Sequence, residues 1–446
     1  MTVLMLELNE INFDQVRSYA ALGKLPVLGS MIAEHGVSQT TSETAYKDLE
    51  PWIQWVSAHT GLTLAQHGVY RLGDILTHDI DQIWEVLERQ GIKVGAISPM
   101  NAKNRCRDAA FFVPDPWTRT TVTGSPMLKR LYRPISQAVN DNAEGKISAG
   151  SALNLVAGMA RYARPASYAG FVRDTLAAVR GRPWRKAMVL DRLLADVFIR
   201  ETRAKRPGFA SLFLNAGAHI QHHYLFSSST YHGPFANPTW YVGKGVDPVL
   251  EVYELYDAIV GEVVAAFPQA RIMLATGLHQ DPHGSVTWDW RLRDHARFLE
   301  EAEVPFERVE PRMSHDFVVF CRDDEQARDA ERRLLAIRSM DGRPLFGVDN
   351  RGDSLFVEFI WSDDIPSDFI YRVDNRPRQG LRDTVVFISL KNGEHNGIGY
   401  FLDTGAGAGE PFPLVELPRR IAAACGRSWP EPQVVERSGA VAAATG

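Results

Sequence analysis

Short apolar runs that halt at polar side chains constrain this chain more than any other feature. In Ser211-Leu-Phe-Leu-Asn-Ala-Gly-Ala-His-Ile-Gln-His-His223 an apolar run stops, and Asn215, His219, His222 and His223 arrive within nine residues. Leu212 to Leu214 reads as the end of a buried strand, and in parallel α/β folds the groups just beyond the strand ends share one crevice. Continued as a helix, the segment puts His219 and His223 on one face at the i,i+4 spacing, with His222 on a neighbouring line. The chain opens with the same pattern: the strand Val3 to Leu8 runs into Asn9 and Glu10, then into a helical stretch at 16–22. The pattern returns at 270–276, followed by Gly277-Leu-His279, and at 384–389, followed by Gly393-Glu-His395.

The intervening segments have their own periods. Helices are predicted at 26–34, 51–61, 79–90 and 247–267, and a further strand at 91–98. The polar run 38–50 reads as a loop at a pocket mouth. Residues 101–208 show long amphipathic stretches at 129–139, 151–161 and 184–203 and little strand pattern, which predicts a helical insertion or lid. The basic run 180–186 reads as a solvated face or as an attractor for an anionic substrate. Residues 227–244, rich in Ser, Tyr, Pro and Gly, form a long loop. A strand at 316–322, a helix at 324–337 and a strand at 354–361 predict an α+β insertion. The expected organisation is therefore a core from 1–100, 209–289 and 381–430, a helical insertion at 101–208, an α+β insertion at 290–380, and a disordered tail at 431–446.

A chain of 446 residues with a formal charge of -5 offers no overall electrostatic attraction to a nucleic-acid polymer or an anionic membrane. Cys106, Cys321 and Cys425 lie too far apart in sequence to suggest a thiolate cluster or a disulfide framework. The first residues lack the basic and long apolar regions of a signal peptide, and no run approaches the length of a spanning helix. These features predict a cytoplasmic protein acting on a small molecule.

The strand ends and their order resemble the alkaline phosphatase superfamily, closest to its type I phosphodiesterase and nucleotide pyrophosphatase branch. In that family the first strand ends in a metal-binding aspartate, where this chain has Asn9-Glu10. A helix begun by a threonine or serine nucleophile closes in Thr-Gly with His-Gly after it. Thr60-Gly61 and His67-Gly68 match, while the nucleophile region reads Leu49-Glu50-Pro51. The family's aspartate with histidine four residues on corresponds to Asn215 and His219. Its Ser-Asp-His-Gly element corresponds to Thr276-Gly-Leu-His279, and its late His-Gly to His395-Asn-Gly397.

The resemblance implies a three-layer αβα sandwich with a mainly parallel central sheet, and a metal-assisted hydrolase or transferase acting on a phosphate ester, phosphodiester or related phosphonate or sulfate ester. Family enzymes hold two ions, usually zinc. With Asn9, Asn215 and Leu278 in place of aspartates, too little negative charge remains for two, and one divalent ion, zinc by preference, is expected. The metal positions carried over are His219, His395, Asn215, His279 and Asn9. Glu50, His279 and His222 are the candidate catalytic groups, and Glu10, Thr44 and His223 the candidate substrate contacts. The same missing carboxylates also fit a domain that binds an anionic ligand or a protein partner without turnover.

Overall fold

The computed structural model describes residues 1–140, 149–312 and 315–430. The strands are β1 (Val3–Leu8), β2 (Ser38–Thr41), β3 (Val94–Ile97), β4 (Phe111–Val113), β5 (Phe209–Leu214), β6 (Arg271–Ala275), β7 (His279–Leu292), β8 (Arg308–Pro311), β9 (Asp316–Phe320), β10 (Arg338–Ser339), β11 (Phe346–Asn350), β12 (Ser354–Phe359), β13 (Tyr371–Val373), β14 (Arg376–Arg378), β15 (Val385–Asn396), β16 (Ile398–Asp403) and β17 (Phe412–Pro413). Eight of them form the central sheet in the order β17-β2-β16-β6-β1-β5-β3-β4. From β6 to β4 every pairing is parallel, and β16 runs antiparallel to both β6 and β2.

Every residue of β1 and β5 is buried, as their near-continuous apolar sequences require of strands covered on both faces. Alternation along β1 shows the two faces: Leu4, Leu6 and Leu8 join one core cluster, and Val3 and Met5 the other. Helices Phe13–Ala21, Arg185–Lys205 and Pro248–Ala266 cover the first face, and Pro51–Thr60, Ile83–Arg89 and Leu417–Ala424 the second. The result is a three-layer αβα sandwich with a mainly parallel sheet.

Three local readings change. The polar run 38–50 begins as β2, whose side chains alternate between buried and exposed, so a strand near the sheet edge can be built from Ser and Thr. β4 lies within the stretch read as helical, and its three residues are too few to show a period. The segments 384–389 and 393–395 are a single strand, β15, which pairs antiparallel with β7 in a two-stranded arm and does not enter the central sheet. Pairing along this arm is interrupted between Phe387 and Ser389 and between Lys391 and Gly393.

The arm leads to a small α+β unit in which the sheet β11-β12-β9-β8 packs with helix Asp324–Leu335 around its own apolar cluster. Helices Pro126–Asn140, Ala149–Tyr162, Tyr168–Val179 and Arg185–Lys205 pack against one another as a helical group. Within the basic run, Arg182 pairs with Glu251, and Arg185 with Asp174 and Glu251, so these two cations tie helices together. Among the described residues no helix is long and apolar enough to cross a membrane. The tail 431–446 lies outside the described residues.

Candidate functional site

The end of β1 is stitched to both of its neighbours. The Asn9 amide donates to Leu214 O of β5 (3.1 Å), and the Glu10 amide to Thr276 O just beyond β6 (3.1 Å). Glu10 therefore sits where three parallel strands finish. Its φ of 61° is left-handed, a conformation that non-glycine residues seldom hold without surrounding restraint. The restraint here is a fully buried carboxylate with a bond to each oxygen. Asn9 Nδ2 donates to Oε1 (3.1 Å) and Gln280 Nε2 to Oε2 (2.5 Å).

Two histidines meet the same Oε2. His222, on helix Ala216–Tyr224, brings Nε2 to 3.1 Å, and His395, near the end of β15, brings Nε2 to 3.2 Å. The two Nε2 atoms lie 3.2 Å apart. Among the described residues, these three form the group of His, Cys, Asp or Glu whose ligand atoms all lie within 4.8 Å of one another. A tetrahedral zinc ion with bonds of about 2.0–2.1 Å has ligand-to-ligand edges of about 3.3–3.4 Å. The triangle fits one face of such a shell after an opening of about 0.2 Å, with a corner left for substrate or water.

The electrostatics support a ligand set with one fixed negative charge. Burial works against the Glu10 carboxylate, but the attraction of His395 and His222 outweighs it and holds the group well below the usual carboxylate range. Burial likewise opposes charge on His395, while Glu10 and Glu50 together raise its pKa. Glu50, which precedes helix Pro51–Thr60, stands with Oε2 3.9 Å from His395 Nδ1. Its carboxyl is raised above the ordinary range, chiefly by burial and against the pull of His395. Lys391 acts on both groups, favouring charge on Glu50 and opposing it on His395.

The other sequence-derived candidates are placed elsewhere. Asn9 and Asn215 belong to an amide chain: Trp55 Nε1 donates to Asn9 Oδ1 (2.7 Å), and Asn9 Nδ2 donates to Asn215 Oδ1 (2.8 Å). Both side-chain oxygens thus already accept a hydrogen bond. His279 is turned to Ile398 O (2.6 Å, through Nδ1) and to Asp281 (3.2 Å, through Nε2), and Asn396 Nδ2 supports Asp281 (2.7 Å). His219 is exposed, with its ring 5.0 Å from that of His223, and His223 faces Leu390 O (3.3 Å). Thr44 is exposed on the loop after β2. Of the metal positions carried over from the resemblance, His395 alone joins the triangle. Glu10 and His222, assigned other roles in the sequence, complete it.

Gln280 and Gln221 carried no motif. Gln280 links Glu10 to Ala218 O (3.0 Å), and Gln221 Nε2 donates to Glu10 O (2.9 Å). Their one sequence signal is that each is an amide beside a histidine of the site region.

No protein-family model matches the chain, and neither does any curated protein. Solved structures do. Phosphonoacetate hydrolase from Sinorhizobium meliloti 1021, in complex with phosphonoformate, shares 12% identity over 95% of this chain and 96% of its own, with a TM-score of 0.43. Human ectonucleotide pyrophosphatase/phosphodiesterase 5 shares 12% identity over 97% of both chains, with a TM-score of 0.46, and its murine counterpart 11% over 97% of both, with 0.42. These are distant likenesses of fold, so the chemistry is read from Glu10, His222, His395 and their surroundings.

Proposed function

We propose that this chain is a metal-assisted hydrolase or transferase acting on a phosphate ester, phosphodiester or related phosphonate or sulfate ester, with one divalent ion held by Glu10, His222 and His395. The observation that carries the reading is the triangle itself: one buried carboxylate oxygen and two imidazole nitrogens converge where three strands end. Nitrogen and oxygen ligands in this number suit zinc. Bound there, such an ion supplies Lewis-acid polarisation of an ester oxygen and a lowered pKa for water.

The remaining steps belong to the protein. Asn9 and Gln280 fix the Glu10 carboxylate so that Oε2 faces the two histidines. Lys391 adds positive charge close enough to act on Glu50 and His395, favouring approach of an anionic ester. Glu50 is the general base: its raised pKa brings it nearer to neutrality, where proton transfer from an attacking water is most effective.

A second reading, a domain that binds an anionic ligand without turnover, is favoured by the amide chain through Asn9 and Asn215. Metal analysis of the purified protein, followed by a screen of phosphodiester, phosphomonoester and sulfate substrates against His222→Ala and Glu50→Ala, separates the two. Bound zinc with turnover lost in both variants supports the hydrolase. A metal-free protein whose stability ignores chelators, or equal activity in all three proteins, overturns it.

A further inference from the structure

Helix Tyr168–Val179 is amphipathic the wrong way round for a helix of a soluble core. Tyr168, Val172, Leu176 and Val179 are 51%, 60%, 47% and 81% exposed. At about 100° per residue they fall within an arc of about 80°. The protein-facing side holds Phe171 and Asp174, and Asp174 is bound by Arg185 Nη1 (2.5 Å). The apolar stripe therefore points away from the molecule. Arg180 flanks it, exposed, as does Arg173, which also pairs with Asp174 (2.9 Å), and Lys186 stands exposed shortly after. The preceding helix adds Leu153 and Val156, at 70% and 63% exposure.

The charge around this stripe is segregated. Residues 126–208 carry 16 Lys and Arg against 6 Asp and Glu, in a chain whose total is -5. The absence of net positive charge, taken over the whole chain, hides this pole. At the start of the stripe lies a cavity of about 600 Å³ lined by Arg161, Arg164, Arg200 and Arg203, with Pro165 and Ala166 bringing its wall to within two residues of Tyr168. Arg164 is neutralised by Asp196 and Glu262, and Arg200 is held by Tyr162 O and Ala163 O. Glu201 also lines the cavity, its carboxylate accepting from the Tyr162 hydroxyl (2.9 Å), so four arginines face one lining carboxylate. Among the described residues, Arg161 and Arg203 have no carboxylate within ion-pair distance, and positive charge stays in excess there.

We propose that this helical insertion docks on the surface of an anionic phospholipid bilayer, laying the Tyr168, Val172, Leu176 and Val179 stripe into the interfacial layer and receiving a headgroup phosphate among the arginines. An apolar stripe flanked by arginines is the combination that binds such an interface, because apolar burial and headgroup attraction act together. Charge complementarity selects the occupant: a second copy would bring the same positive pole and be repelled.

The test is co-sedimentation of the full chain with vesicles of phosphatidylcholine alone or mixed with phosphatidylglycerol, at low and high salt. Wild type is expected to partition at least about tenfold better onto the anionic vesicles, and less at high salt. Val172→Glu/Leu176→Glu should abolish binding, and Arg161→Gln/Arg203→Gln should weaken it about tenfold or more, with melting and turnover of a soluble ester unchanged. Equal partition onto both vesicle types, or none onto either, overturns the proposal. A dimer in sedimentation velocity that the glutamate pair dissolves, without vesicle binding, also overturns it and assigns the stripe to a second copy.

Discussion

Replacing Glu10 by Gln changes one atom of the triangle and should disturb it from two directions. If the new amide nitrogen takes the Oε1 position, it meets Asn9 Nδ2 at 3.1 Å, donor against donor. Asn9 is not free to flip, because its Oδ1 accepts from Trp55 Nε1 at 2.7 Å. If it takes the Oε2 position, it meets Gln280 Nε2 at 2.5 Å, and flipping Gln280 would set its oxygen against Ala218 O. Either way a buried donor is left unsatisfied, at about 1–3 kcal/mol. Loss of the ionic partner of His222 and His395 brings the expected total to about 2–4 kcal/mol. Metal affinity should fall more than 100-fold, beyond the range of about 10–100-fold seen when only a supporting group is lost. Denaturant unfolding of the chelated protein measures the first effect, and zinc competition against a chromophoric chelator the second. Wild-type stability together with wild-type zinc affinity would refute the reasoning, since Oε2 would then be neither a ligand nor the anchor of the network.

Three further outcomes follow from the same geometry. In metal-free protein, the lowered Glu10 contributes stability that is present above its unfolded value near 4.5 and is lost as pH falls through its folded pKa; the raised His395 contributes stability that is full below 6.5 and is lost as pH rises through its folded pKa. The stability difference between wild type and His395→Ala, measured in EDTA, should therefore peak between those values, and a difference flat with pH would contradict the pairing. A Cβ on Gly393 would stand 2.0 Å from Gln280 Oε1 and 3.1 Å from Gln221 O, so Gly393→Ala should destabilise by about 1–3 kcal/mol and weaken zinc binding by displacing Gln280 from Glu10; unchanged melting and affinity would argue against that contact. Glu50→Gln should lower kcat for ester hydrolysis by about 10²–10⁴-fold with zinc occupancy retained, and loss of the ion instead would make Glu50 a ligand rather than a base.

The sheet was legible in the sequence because β1, β5 and β6 are buried on both faces, and continuous apolar runs leave few alternatives. The arm was not. β7 contains Pro282, Gly284 and a mixture of polar and aromatic residues, and a two-stranded ribbon with much exposed surface imposes no regular pattern on its sequence. In the candidate site, the sequence put His395 forward from its strand-like context, and the structure places it beside Glu10 and His222. Glu10 could not be preferred over Asn9, because the choice depends on a left-handed backbone that turns the second residue after β1 into the cleft. His222 and His219 lie three residues apart on one helix, and which of them meets β15 depends on where the arm crosses that helix, a long-range contact outside any local period.

The arm has a consequence for how this protein can be changed. Leu292 pairs with Val385, so everything from 293 to 384 leaves and returns at one doorway. The opposite end of the same ribbon pairs His279 with Asn396, next to His395, and two interruptions of the pairing, at 387–389 and 391–393, lie between it and the tip. The outer unit can thus be viewed as an exchangeable attachment: a short turn, or a foreign domain with adjacent termini, could be spliced at the doorway while His395 at the base keeps its alignment. Natural variation and engineering would both find there a place to alter what surrounds the Glu10, His222 and His395 triangle without rebuilding the triangle itself.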